Sequence, residues 1–181
     1  METIETSWIE RWQASTGLRL RPNGLLKLGY DQPVGPSVTI ATEMRASADL
    51  VLLANRLLWP SSDEEEAFPS GVGSPYLLWL REWGVWDDIN EAIAAESFRV
   101  LLAGYGQSVE AKGLVFQEAD RIGAVVFVLH MMLFGWDAYL VPLSGAFLCY
   151  LSHDGYVRIT AGDEATRGWL VGRLAPWQIA G

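Results

Sequence analysis

The sequence predicts an α+β fold, in which an antiparallel sheet with a C-terminal β-meander packs against several helices in a single domain spanning 1–181. Three observations predict it. Residues 136–160 alternate apolar and polar side chains around two turn signals, Ser144-Gly145 and Asp154-Gly155, the pattern of consecutive hairpins. Other segments carry apolar residues at helical spacing. No internal repeat is visible, and the helical segments are interspersed with hairpins. With 50% hydrophobic residues over 181 positions, the chain can bury roughly 70% of its unfolded surface. It needs no disulfide or metal to hold a core.

The elements follow in order. "ETSWIERWQASTG" places Trp8, Ile9 and Trp12 on one side of a short helix that Gly17 ends. "LRLRPNGLLKLGY" is a hairpin, with Leu18 and Leu20 alternating with Arg19 and Arg21 before a Pro22-Asn23-Gly24 turn. "SVTIAT" is a strand. From Glu43 to Trp59, Leu50, Val51, Leu53, Ala54, Leu57 and Leu58 form a broad apolar helical face, and Pro60 stops the helix. Residues 60–75, rich in Pro, Ser and Gly and carrying the acidic run Asp63 to Glu66, read as an exposed loop.

Tyr76 to Leu80 fits a buried strand or a helix start, because a continuous apolar run has no diagnostic period. "DDINEAIAAESFRVLLAGYG" is a helix capped by Asp87 or Asp88, with Ile89, Ile93, Phe98 and Leu101 on one side and Gly104 at its end. "QSVEAKGLVF" holds a short extended segment. An apolar helix runs from about Gln117 to Phe134, and Gly135 is its natural stop. In the meander that follows, Pro142 marks its strand as an edge or a bulged one. A last helix spans roughly Asp163 to Leu174, ahead of Pro176.

Charge and cysteine usage narrow the function classes. With 22 acidic against 13 basic residues the net charge is −9. That surface repels phosphate backbones, which disfavours nucleic acid. It attracts a basic partner, and such steering raises association rates about 10- to 10³-fold. The single cysteine, Cys149, cannot form an internal disulfide, which fits a reducing cytoplasm. "METIETSWIERWQ" has no basic stretch ahead of an apolar one, so no secretion signal is expected. The most apolar window, Ile122 to Trp136, falls short of the roughly 20 residues a membrane helix needs and contains His130. It is expected to be a buried core helix, and no membrane partner is expected.

The densest group of reactive residue types is Cys149, Ser152, His153 and Asp154. A Cys–His pair needs sulfur and imidazole within hydrogen-bond reach. Four residues apart on an extended strand, the two backbones stand roughly 13 Å from each other. Cys149 between Leu148 and Tyr150 is therefore a small core hydrophobe. Ser152-His153-Asp154-Gly155 reads as a turn, in which Ser or Asp bonds nearby amides and Gly accepts positive φ. Adjacent Ser, His and Asp do not make a triad, because the imidazole needs partners on opposite sides.

Two histidines and one cysteine supply no closely spaced ligand pair, so neither a metal nor another cofactor is expected. His130 reads as a hydrogen-bonded core histidine. "GYGQSVEAKG" lacks the lysine-serine ending of a phosphate loop. Asp87-Asp88 at a helix start complements the positive end of the helix dipole, and so does not read as a hydrolytic pair.

Binding remains. "WLREWGVWDD" sets Trp79, Trp83 and Trp86 beside Glu82, Asp87 and Asp88. Tryptophan is enriched in interface hot spots, and an acidic rim suits a basic partner. The candidate contact residues are Asp63, Glu64, Glu65, Glu66, Glu82, Trp83, Trp86, Asp87 and Asp88, with Trp79 assigned to the core. "LLWLREWGVW", followed by "FGWDAYLVP" and "SHDGYV", resembles small acidic bacterial proteins associated with immunity in polymorphic toxin systems; the resemblance covers Tyr76 to Thr160. It implies a cytoplasmic, non-enzymatic protein that occludes the active site of a cognate, basic toxin domain. The rival readings are a housekeeping interaction module, a structural protein of a phage or secretion apparatus, and a hydrolase working through carboxylates alone.

Overall fold

A computed structural model describes residues 1–4, 6–16, 19–20, 26–27, 37–43, 45–59, 75–80, 89–107 and 113–178, with the backbone alone at 6, 19–20, 26–27 and 89–95. The described residues form an α+β fold. In order they are β1 (Glu2–Thr3), α1 (Thr6–Thr16), β2 (Arg19–Leu20), β3 (Leu26–Lys27), β4 (Val38–Ala41), α2 (Ser47–Leu58), β5 (Tyr76–Leu80), α3 (Ile89–Gly104), β6 (Gly113–Phe116), α4 (Arg121–Leu133), β7 (Ala138–Pro142), β8 (Phe147–Ser152), β9 (Tyr156–Ala161) and α5 (Glu164–Leu174). A 3-10 turn at Glu118–Asp120 leads into α4, and another at Ala175–Trp177 follows α5.

Seven strands make one sheet in the order β1-β6-β5-β7-β8-β9-β4, every neighbouring pair antiparallel. The expected meander is there. β8 and β9 pair from Phe147↔Ala161 to Ser152↔Tyr156, and Gly145 and Gly155, at φ +77° and +72°, sit in the turns before and after β8. Gly155 also has no room for a side chain, since a Cβ there would stand 2.7 Å from the Cβ of Glu43. The hairpin expected near Arg19 is present as the pair Arg19↔Lys27 and Leu20↔Leu26.

Alternation along the strands splits the core in two. Tyr76, Leu78 and Leu80 of β5, Leu140 of β7, Cys149 of β8 and Ile159 of β9 belong to one cluster, together with buried residues of α2, α3, α4 and α5. Leu77, Trp79, Val115, Tyr139 and Val141 belong to the other, together with Ile9 and Trp12 of α1. Trp12 is tied down further, its indole N–H donating to the Leu143 carbonyl at 2.9 Å. The Tyr76–Leu80 run is thus a strand with both faces covered. Such strands read as continuous apolar runs in sequence.

Three expectations are corrected. β7 is not an edge strand, because it lies between β5 and β8. Pro142 is tolerated as its last residue, where it still pairs with Tyr76 of β5 but lies beyond the β8 ladder, which closes at Leu140↔Cys149. The helix expected from Glu43 starts at Ser47, with Ala46 as its N-cap, and Val51 faces outward at 40% exposure. Among the described residues α4 is covered along one face: Gly123, Ala124, Phe127, Val128, His130 and Met131 are buried, while Ile122 is 79% exposed.

α5 starts where the sequence placed it. Asp163 accepts from the Thr166 amide and the Thr166 hydroxyl, both at 2.8 Å. These bonds hold its carboxyl below the usual carboxylate range. Asp163→Ala is expected to lower stability by about 1 kcal/mol in urea melts at neutral pH. The cap is complete above the ordinary aspartate pKa of about 4 and is lost as pH falls through the lower folded value, so the difference between wild type and variant should vanish in acid.

Candidate functional site at one end of the sheet

The site is a carboxylate–imidazole cluster where β7 begins and β8 turns into β9. Asp137, one residue ahead of β7, lies beside the turn because β7 and β8 pair as Ala138↔Leu151 and Tyr139↔Tyr150. Its Oδ1 accepts from the Tyr150 hydroxyl at 2.7 Å and from the His153 amide at 3.0 Å, and it stands 2.9 Å from His153 Nδ1. The Asp137 side chain is only 9% exposed, against 33% for His153. On the other side of the ring, His153 Nε2 faces Asp154 Oδ1 at 3.2 Å, and the Asp154 side chain is 63% exposed.

The imidazole therefore has carboxylates at both nitrogens. One comes from Asp154 next door; the other comes from Asp137, sixteen residues away. Ser152 takes no part as a nucleophile in this arrangement. Its Oγ bonds Asp154 Oδ2 at 3.5 Å and accepts from the Asp154 amide at 3.1 Å, as expected for a turn serine. The arrangement orients the imidazole in the way an aspartate orients a catalytic histidine. Here the same bonds also pin the β8–β9 turn against the start of β7.

The surroundings extend the cluster. The amides of Thr42 and Glu43 donate to the Gly155 carbonyl at 2.7 and 3.0 Å, which brings exposed Glu43 to this turn. Tyr150 packs against Tyr139 at a tilt, with ring centres 5.1 Å apart, and meets Tyr156 edge-on at 6.2 Å. Burial first, and then the bond to Asp137 and its charge, push the Tyr150 phenol well above its ordinary range.

Cys149 stands elsewhere. It is fully buried, facing the helix-covered core cluster, and is a free thiol. Burial pushes its pKa strongly upward, which removes the thiolate that reactivity requires. A thiol reagent applied to the native protein near pH 8 is expected to label Cys149 no faster than the fold opens; prompt stoichiometric labelling would contradict this burial. His130 is 9% exposed. Its Nε2 is 3.5 Å from the Ser97 hydroxyl, and its ring packs against Phe98, Phe134 and Trp136.

The contact residues named from sequence, Asp63, Glu64, Glu65, Glu66, Glu82, Trp83, Trp86, Asp87 and Asp88, lie outside the described residues. Trp79 is 6% exposed and packs in the core, as assigned. Asp137, Tyr150 and Glu43 were missed. The signal for Asp137 was present: the hairpin register about Ser144-Gly145, extended by one pair, sets residue 137 across from residue 152. Among the described residues, no group of three or more His, Cys, Asp or Glu is placed to hold a metal ion, and no helix is long and apolar enough to cross a membrane. Comparison with protein-family models, curated proteins and solved structures found no match.

Proposed function

We propose that this chain is a non-enzymatic binding protein that neutralises a basic protein partner by covering its working surface, as an immunity protein does with its cognate toxin. One observation carries the reading: Asp154, 63% exposed, stands on a turn bonded to Asp137 through the His153 amide, and exposed Glu43 lies beside that turn. Preorganised charge of this kind costs little ordering on association. Leu80, the last described residue before 81–88, pairs with Ala138, immediately after Asp137. The net charge of −9 adds long-range attraction for a basic surface.

Co-expression with the protein encoded beside it should give a complex that co-purifies and should restore growth; failure of both would refute the role. Changing Asp63, Glu64, Glu65 and Glu66 together to serine is expected to slow association at low salt, with the difference shrinking as salt screens it. Equal on-rates would remove that run from the interface.

A further inference from the structure

His153 has a carboxylate at each ring nitrogen, Asp137 Oδ1 at 2.9 Å from Nδ1 and Asp154 Oδ1 at 3.2 Å from Nε2. A neutral imidazole carries one N–H and one lone pair, whereas the imidazolium carries two N–H groups. Only the protonated ring therefore turns a hydrogen toward both carboxylates. Once it gives up a proton, one nitrogen sets a lone pair against a carboxylate oxygen. The two contacts are unequal. Asp137 is 9% exposed and also serves the Tyr150 hydroxyl and the His153 amide, so withdrawing the ring's hydrogen from it weakens the pairing of a desolvated charge. Asp154 is 63% exposed, and water replaces the ring there at little cost.

We propose that His153 is a pH-operated clasp on Asp154: the protonated ring holds that carboxylate, and the neutral ring keeps its proton on Nδ1, toward Asp137, and releases Asp154. The hydrogen bond made at one nitrogen sets which of the two keeps the proton. The turn stays seated in both states, because the His153 amide that bonds Asp137 does not titrate. Around the ring, Asp137 approaches from the start of β7 with Tyr150 of β8 bonded behind it. Glu43 comes from the link between β4 and α2, held at Gly155. On β9, Arg158 lies over the Tyr156 ring at 5.0 Å, and Gly135, after α4, brings backbone alone. The clasp regulates the binding role proposed above and in that respect rests on it. As pH rises through the imidazole's titration, a basic surface meets a released Asp154 beside Glu43, with no opposing ring charge.

Proton–nitrogen correlation spectra of the His153 ring, recorded across its whole titration, test the clasp, with the Asp154 carboxyl carbon followed in the same samples. No partner is needed, so failure of the clasp is distinguishable from failure of the binding role. Both nitrogens should be protonated at the acid end, and only Nε2 should lose its proton toward the alkaline end. The Asp154 carboxyl shift should inflect at the ring's midpoint. In His153→Gln, whose side chain does not titrate, that inflection should vanish while the titration of Asp154 itself remains. A neutral ring protonated on Nε2, an Asp154 carboxyl that does not respond as the ring titrates, or the same inflection in His153→Gln would overturn the proposal.

Discussion

Replacing Phe127 with alanine is expected to destabilise the fold by about 3–5 kcal/mol, seen as a large drop in denaturant midpoint with little change in slope. The ring is fully buried on the inner side of α4. It meets Phe98 of α3 edge-on at 5.7 Å and Phe116 of β6 at 5.7 Å, and Tyr105 closes the group at 5.6 Å. One side chain thus joins two helices to the sheet, and its loss leaves a void bordered by stiff aromatic rings that collapse poorly. Val128→Ala, also fully buried on α4, removes far fewer atoms and should cost clearly less. A Phe127→Ala cost below about 1 kcal/mol would mean that α4 does not seat on the sheet as described.

Asp137→Ala is expected to cost about 2–4 kcal/mol, because one nearly buried carboxylate serves the Tyr150 hydroxyl, the His153 amide and the His153 ring. Asp137→Asn keeps an acceptor oxygen and should lose roughly half as much. The two variants also differ from wild type at alkaline pH. The Tyr150 phenol is held above its ordinary range, first by burial and then by the Asp137 bond and charge. The unfolded chain therefore ionises this tyrosine first, near pH 10, and stability falls as pH rises from there toward the folded value. Removing Asp137 takes away part of that shift. Unfolding free energies measured across this range should fall less steeply for Asp137→Ala than for wild type. Equal slopes would show that Asp137 does not hold Tyr150.

The meander was legible because both of its turns advertise themselves. Ser144-Gly145 and Asp154-Gly155 sit between alternating runs, and the glycines adopt the positive φ that such turns require. α1 was legible from Trp8, Ile9 and Trp12, with Ile9 and Trp12 now buried beneath the sheet's second face. Tyr76–Leu80 was not, because burial on both faces erases the period that separates strand from helix. Pro142 does not mark an edge, because a missing N–H matters only where a ladder continues, and beside Pro142 the β8 ladder has already stopped. The Asp137–His153 contact depends on register across a hairpin, a non-local quantity that a search among neighbouring residues misses. The buried core helix expected over Ile122 to Trp136 is buried along one side of α4, because hydropathy does not specify how much of a helix is covered.

Strand order has a consequence for biosynthesis. The two strands at the rims of the large sheet, β1 and β4, are made well before their partners, since Glu2 pairs with Val115 and Val38 with Ile159. A ribosome therefore releases the rims long before the strands that receive them. β1 and β4 must wait for those partners, whereas β7, β8 and β9 are consecutive in the chain and pair with their nearest neighbours in sequence. Premature termination before Tyr156 leaves β4 without its docking strand.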